Sequence, residues 1–474
     1  MNATRLFADF AKASSQKMAI VTAGVEALSF LELASLAGGM QHELRTMGLK
    51  MGDKALVMAT PSPSLYACAL ALMGLGVSIV FVEPWMPLKN ISHVVSLSKP
   101  KLYVSNLFGF LWGSRIKEIR NIKAWTTLSA LTRKAAGREF TICDVEPDLP
   151  GIITFTTGTT GSPKGVVRSQ GYLINQHEVL KESLGLQDDH GCDLTIFANF
   201  VFSNLARGAT SLLMPTQWSK RNFQRIDAKA CVFKPSTTTC GPAFLLQAMT
   251  LGHFKSLSHI HVGGALTDCR IFETAFAKWP EAHFLHVYGS SEAEPVACAD
   301  AKESVAISKS RGFFQTVFFG QPVTQAKISC ENDTIWVSGR HVCPLYLGNH
   351  LENQRYKRLD HHGVLWHDMG DRLTMDDRGL WYQGRSSQLK DDFMLEQKLY
   401  TDAQSSKSFI KRTKSGEVVW LGENLGRMQS VASNHSQISR VVKTDIIRDR
   451  RHRARIDRAR STPHHIKELG DYRA

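Results

Sequence analysis

The chain has 474 residues, 43% of them hydrophobic and 21% charged, and a formal net charge of +14. That length exceeds one ordinary hydrophobic core, so two or more domains are expected, and the composition argues against a disordered or collagen-like chain. Nine cysteines, odd in number and without Cys-x-x-Cys spacing, argue against a disulfide framework or a zinc site and suit a reducing cytoplasm.

The first ten residues lack the continuous apolar run of a signal peptide, so the protein is expected in the cytoplasm. Up to about residue 150, helices and strands alternate. Ser29, with Glu32 three residues on, reads as a capping box opening a helix. Lys54–Met58 and Leu102–Ser105 read as strands. The stretch from Leu65 to Val82 is apolar enough to suggest a membrane span, but Gly74, Gly76 and Ser78 interrupt it. It reads instead as a buried helix near 65–73, a glycine turn and a buried strand near 77–82.

The segment Phe155-Thr-Thr-Gly-Thr-Thr-Gly-Ser-Pro-Lys-Gly165 packs hydroxyls, glycines and a lysine into one short loop. Glycines let backbone N–H groups converge on a point, and Thr156, Thr157, Thr159 and Thr160 add hydroxyl donors. Lys164 adds a point charge suited to phosphate. The loop reads as a polyphosphate grip, with a plain turn between strands as the alternative. It is not a Walker A motif, because Pro163 precedes the lysine and Gly165 follows it.

Beyond it, a helix near 170–184 and a strand near 193–199 continue an α/β pattern with largely parallel sheets. Leu194-Thr-Ile-Phe-Ala-Asn-Phe-Val-Phe-Ser-Asn204 reads by periodicity as a buried strand. His261-Val-Gly-Gly-Ala265 reads as a turn. His286-Val-Tyr-Gly-Ser-Ser-Glu292 is either a strand-to-helix turn capped by Ser290 or Ser291, or a site with an aromatic face and a carboxylate suited to Mg²⁺. From about 312, short strands at Lys327–Cys330, Thr334–Ser338, Gly363–Trp366 and Gly379–Gln383 predict a β-rich subdomain. Within Trp366-His-Asp-Met-Gly-Asp371, Gly370 marks a tight turn, Asp371 is a candidate acceptor for a diol, and His367 is expected at the surface. After Arg385 the polar run Ser386-Ser387-Gln388 reads as a hinge. A small basic segment follows, with Arg448, Arg450, Arg451, Arg453, Arg455, Arg458 and Arg460. No aromatic residues interleave with these arginines, so nucleic acid is not an expected partner.

The loop at 155–165 closely resembles the phosphate loop of the adenylate-forming (ANL) superfamily, which includes acyl-CoA synthetases, peptide-synthetase adenylation domains and luciferases. Only Thr157 departs from its pattern, replacing a serine. The later motifs follow in family order. The resemblance implies that Lys164, Thr156, Thr157, Gly158, Thr159, Thr160 and Gly161 hold the phosphates of ATP. Gly263, Gly264 and Ala265 would line the adenine and acyl pocket. Tyr288 would stack on adenine beside Gly289 and Ser290, Ser291 would meet the α-phosphate, and Glu292, with Thr157, would hold Mg²⁺. Asp371 would bind the ribose hydroxyls and Arg385 the ribose or phosphates, while Gln388 takes the place of the pivot residue.

The Trp-His-x-Met-Gly-Asp form, and the stretch carrying Phe200 and Phe202, are similar to the olefin β-lactone synthetase branch, with both phenylalanines lining an acyl pocket. The resemblance departs after 390. Lys390-Asp-Asp-Phe-Met-Leu395 lacks the glycine that shapes the thiol entrance, and Arg455 stands where the terminal catalytic lysine is expected. Arginine keeps the charge but not the shape.

The implied fold is α/β. Residues 1–385 form a large N-terminal ATP- and acyl-binding domain of mostly parallel sheets flanked by helices, with the β-rich subdomain at about 312–385. A hinge at 386–390 leads to a small mobile α+β domain at 391–474. The implied reaction is ATP-dependent adenylation of a carboxylic acid, fatty or 3-hydroxy fatty, to an acyl-AMP with release of pyrophosphate. β-Lactone closure would follow. Transfer to coenzyme A is the alternative fate, and a degenerate, non-catalytic nucleotide- or acyl-binding homologue is the alternative class. The basic C-terminus is a candidate contact for an acyl carrier or a membrane surface.

Overall fold

The computed structural model describes residues 1–83, 85–157, 163–188, 191–331, 334–448 and 456–467. Two large sheets organise the first three hundred residues. In the first, Lys54–Met58, Ser78–Phe81, Leu102–Ser105, Ala124–Thr127 and Pro150–Thr157 run parallel. Pro163–Ser169 then returns antiparallel along Pro150–Thr157. The second sheet has a parallel centre made by Met18–Thr22, Cys192–Thr195, Thr210–Leu213, Thr237–Cys240, His259–Gly263 and His283–Ser290. It too is edged by an antiparallel return, Ala293–Asp300 against His283–Ser290.

Burial on both faces explains the strand composition. Ala55, Leu56, Val57, Ile79 and Val80 are all essentially inaccessible, as expected of parallel strands covered by helices. The apolar stretch that suggested a membrane span is the buried helix Pro63–Gly74 followed by the strand Ser78–Phe81. Among the described residues no helix is long and apolar enough to cross a membrane. The capping box is present: Glu32 N–H donates to Ser29 Oγ at 3.2 Å, and Ser29 N–H donates to Glu32 Oε2 at 2.7 Å.

The β-rich part follows the predicted strands closely. Lys327–Glu331, Thr334–Ser338, Leu365–Asp368 and Lys357–Leu359 make one sheet, while Phe318–Gly320, Gly379–Arg385 and Asp371–Asp376 make another. Beyond 389 the chain forms a helix, Lys390–Ala403, packed beside a three-stranded sheet built around the buried Trp420. This is the smaller C-terminal α+β unit.

One element differs from expectation. The apolar stretch from Leu194 is not a continuous strand. It pairs only as Cys192–Thr195 and re-forms as the helix Phe200–Ala206. The aromatic residues satisfied the pattern of a buried strand, but the same short apolar run packs equally well as a helical turn.

Ser29→Ala removes the reciprocal cap of the helix Phe30–Thr46. It should lower unfolding stability by about 1 kcal/mol in a denaturant titration.

Candidate active site

The two antiparallel returns carry the strongest candidate residues toward one another. Thr156 lies opposite Lys164 in the first hairpin, and Thr157 opposite Pro163. Gly158, Thr159, Thr160 and Gly161 lie outside the described residues, as does Arg455. In the second hairpin the turn between His283–Ser290 and Ala293–Asp300 is Ser291-Glu292. The expected strand-to-helix turn is therefore a tight β-hairpin, with Ser290 Oγ accepting from Glu292 N–H at 3.2 Å.

Arg168 joins the two hairpins. Its Nη1 donates to Thr154 Oγ1 at 2.6 Å, and its Nη2 donates to the Ser291 carbonyl at 2.8 Å. Arg168 was not singled out from the sequence; a charged residue within the apolar run Gly165-Val-Val-Arg-Ser169 is the signal that could have marked it.

Lys164 is buried, with its ammonium 3.7 Å from the centre of the Tyr356 ring. It is ion-paired with Glu352, from the short helix His350–Tyr356. Tyr346 stands between the motifs: its hydroxyl donates to Glu292 Oε1 at 2.9 Å, and Lys164 Nζ lies 5.5 Å from its ring centre. The strand residue Val166 bridges to Tyr346, and Leu347 N–H donates to the Gly165 carbonyl at 2.8 Å. None of Tyr346, Glu352 and Tyr356 was singled out from the sequence. Nothing in Pro344-Leu-Tyr-Leu-Gly348 marks the tyrosine as a partner of a carboxylate 54 residues away.

Burial alone would raise the Glu292 carboxyl. The Tyr346 hydroxyl, the Lys357 ammonium and a hydrogen bond to Ser290 oppose it, and Glu292 lies below its ordinary value of 4.5. His367 is buried rather than at the surface, and burial pushes its ring down to about 3, so it is neutral at physiological pH. Its Nδ1 faces the Tyr356 carbonyl at 3.0 Å.

The third motif joins the same region. The Tyr288 hydroxyl donates to Asp371 Oδ2 at 2.8 Å, and Arg385 Nη1 lies 2.9 Å from Asp371 Oδ1. Burial, then the Asp371 charge, raises Tyr288 well above an ordinary phenol, while Asp371 raises Arg385. Asp371 Oδ1 is buried and has no hydrogen bond of acceptable geometry among the described residues. A buried acceptor with spare capacity is what a ribose hydroxyl requires.

Gly263 closes the strand His259–Gly263, where a Cβ would stand 2.8 Å from the Val287 carbonyl oxygen. Gly264 has φ +81°, a conformation that favours glycine. Ala265 follows on the same turn. Phe200 and Phe202 do not share a wall. Phe200 packs with Leu180, Leu184 and Val287, whereas Phe202 meets the Tyr66 ring edge-on at 5.6 Å. They are two residues apart on a helix, so they point in different directions.

At the connection to the C-terminal unit, the Arg372 guanidinium donates to the carbonyls of Arg385, Ser386 and Gln388. Gln388 Nε2 donates to Glu396 Oε2 at 3.1 Å, and that carboxylate is paired with Arg458 at 2.7 Å. Arg458 is therefore a structural pin, not part of a free basic face.

A family model described as AMP-binding enzyme matches residues 7–346. The chain belongs to this adenylate-forming family. An olefin β-lactone synthetase of Xanthomonas campestris is 25% identical over 293 residues, covering 58% of this chain and 52% of that protein. The corresponding enzyme of Stenotrophomonas maltophilia is 25% identical, with 58% and 53% covered. The matches thus span about half the length of these two relatives. A probable CoA ligase of Humulus lupulus is 22% identical, covering 74% of this chain and 68% of that protein. Among solved structures, O-succinylbenzoate coenzyme A synthetase of Bacillus subtilis in complex with AMP has TM-score 0.79 at 16% identity, covering 94% and 96% of the two chains. Klebsiella oxytoca NpsA in complex with 3-hydroxyanthranilyl-AMSN has TM-score 0.78 at 16% identity, covering 97% and 98%. Both share the arrangement of a large parallel-sheet domain and a smaller C-terminal one.

Because the folded-state value of Glu292 is depressed, its contribution to stability is present above its ordinary 4.5 and is lost as pH falls through the lower folded value. Urea titrations carried down through the carboxylate range should show a shallower acid loss in Glu292→Gln than in the parent.

Proposed function

We propose that the protein adenylates a carboxylic acid and that the acid is a 3-hydroxy fatty acid whose own hydroxyl then closes a β-lactone. One observation carries the first half: three motifs distant in sequence meet at one place, through Tyr346 to Glu292 and Tyr288 to Asp371. A carboxylate oxygen of the acid attacks the α-phosphorus of ATP, and the bond to pyrophosphate breaks. Negative charge gathers on phosphate oxygens, so positioning and cationic stabilisation supply the catalysis.

Lys164 is the cation for the departing phosphates, and Thr156, Thr157, Thr159 and Thr160 are the hydroxyl donors assigned to them, the last two outside the described residues. Asp371 and Arg385 orient the ribose, and Tyr288 borders the adenine. Ser291 is placed toward the α-phosphate, and Arg455 supplies a second cation from the C-terminal domain as it swings on Gln388.

Among the described residues no cluster of three His, Cys, Asp or Glu side chains would hold a metal by itself. Glu292 offers one ionised carboxylate, which suits Mg²⁺ bound jointly with ATP phosphates and water. When bound, the ion neutralises phosphate charge.

The lactone step is favoured by the missing glycine in 390–395 and by the similarity to two olefin β-lactone synthetases. In it, the 3-hydroxyl oxygen attacks the acyl carbon, AMP leaves, and the hydroxyl proton passes to solvent. The second reading, transfer to coenzyme A, is favoured by the longer match to a probable CoA ligase.

Lys164→Ala should lower acid-dependent pyrophosphate release roughly a hundredfold, the scale of losing one electrostatic stabiliser. Parent-like turnover in that variant would reject the site. Incubation with ATP, magnesium and a 2-alkyl-3-hydroxy acid should yield AMP and a β-lactone without coenzyme A. A thioester formed only with coenzyme A would select the second reading.

A further inference from the structure

The helix Leu107–Gly113 is packed with its small residues inward. Asn106 Oδ1 caps it by accepting from Gly109 N–H at 2.7 Å, and the Tyr103 hydroxyl donates to the Gly109 carbonyl at 2.7 Å. A Cβ on Gly113 would stand 2.8 Å from the Tyr103 ring. Gly109 and Gly113, four residues apart, therefore form the face laid on the sheet. Phe110 and Trp112 also pack inward, Phe110 meeting the Trp125 ring edge-on at 5.2 Å, but three large apolar residues are left outside: Leu107 is 67% exposed, Phe108 74% and Leu111 63%. The helix is thus apolar on both faces, unlike the usual amphipathic arrangement in which the outer face is polar.

A second exposed apolar pair lies on another connection of the same sheet. Trp85 and Leu88 are exposed and follow the strand Ser78–Phe81. That strand and Leu102–Ser105 flank Lys54–Met58 and run parallel, so both connections leave the same edge of the sheet. Cations outnumber the acids Glu83 and Glu118 in these connections. Lys89, Arg115, Lys117 and Arg120 are all exposed, and none is in an ion pair among the described residues. The Glu118 carboxyl in that stretch is lowered by its own backbone N–H, by Ser92 on the helix Leu88–Ser98 and by the Lys117 charge. Scattered single apolar residues on a surface need no explanation, but three within five residues together with a local excess of exposed cations do.

We propose that Leu107, Phe108 and Leu111, flanked by Lys89, Arg115, Lys117 and Arg120, form a docking surface for an anionic lipid bilayer. Aromatic and aliphatic side chains at the tip enter the boundary of headgroup and acyl chain, while the cations meet the phosphates. The match of positive charge to an anionic surface favours lipid over a second copy of the chain, whose identical patch would repel it. None of these residues is among the partners of Lys164, Glu292 or Asp371 described above, and the role of the surface does not depend on which acid is activated.

The test is co-sedimentation of the full chain with vesicles of phosphatidylcholine alone or mixed with phosphatidylglycerol. The parent should pellet with the mixed vesicles, less so as salt rises. Phe108→Asp combined with Leu111→Asp should lower partitioning roughly tenfold or more, with the unfolding midpoint and pyrophosphate release from a short soluble acid unchanged. Should the double variant lose its fold, Arg115→Glu with Lys117→Glu serves as the second variant and should weaken binding to mixed vesicles only. Equal pelleting of parent and both variants would overturn the proposal. So would a parent that stays in the supernatant, or one that is a dimer which Phe108→Asp splits without any lipid binding.

Discussion

The site depends on the fork of Arg168. Each of the two parallel sheets ends in a strand that turns back on itself, and the tips of those returns carry Lys164 and Glu292. Tips of edge hairpins are poorly held by their own sheets. Arg168 bonds Thr154 in one sheet and the Ser291 carbonyl in the other, which gives two independent layers a fixed relation. Tyr346 adds the second tie, with its hydroxyl on Glu292 and its backbone segment laid against Gly165–Val167. Precise placement of charges matters more than their number when catalysis is electrostatic.

Much of this was legible because local chemistry repeats global structure. Ser29 and Glu32 announce a helix start wherever they sit, and the strands Lys54–Met58 and Leu102–Ser105 are apolar because both their faces are covered. Lys164, Tyr288, Glu292, Asp371 and Arg385 stood out because each lies within a short run of unusual composition. Asp371 was read as an acceptor for a diol, and in the fold its carboxylate is held by the Tyr288 hydroxyl and the Arg385 guanidinium.

The remainder was not legible for a physical reason: the partners are far apart in sequence. Arg168 reaches 123 residues to Ser291, and Tyr346 reaches 54 to Glu292. A single histidine gives no local sign of its burial, and His367 was misplaced at the surface for that reason. Phe200 and Phe202 were read as neighbours on one wall because alternation fits a strand, while the chain chose a helical turn that sends them to different cores. Arg458 likewise looked like one of a row of free cations until its partner Glu396, from the other end of the C-terminal unit, was in view.

The pairing of Lys164 with Glu352 has a consequence for how any triphosphate arrives. The ammonium is never bare: it rests on the Tyr356 ring and beside a carboxylate borne on a helix of only seven residues. Nucleotide entry is then an exchange of one anion for another, so most of the dehydration cost of a buried cation is met in advance. Under the proposed function, incoming phosphates would have to displace Glu352 from a short segment held by the two hydrogen bonds between Asn353 and Tyr346, which would tie nucleotide affinity to the mechanical give of residues 350–356.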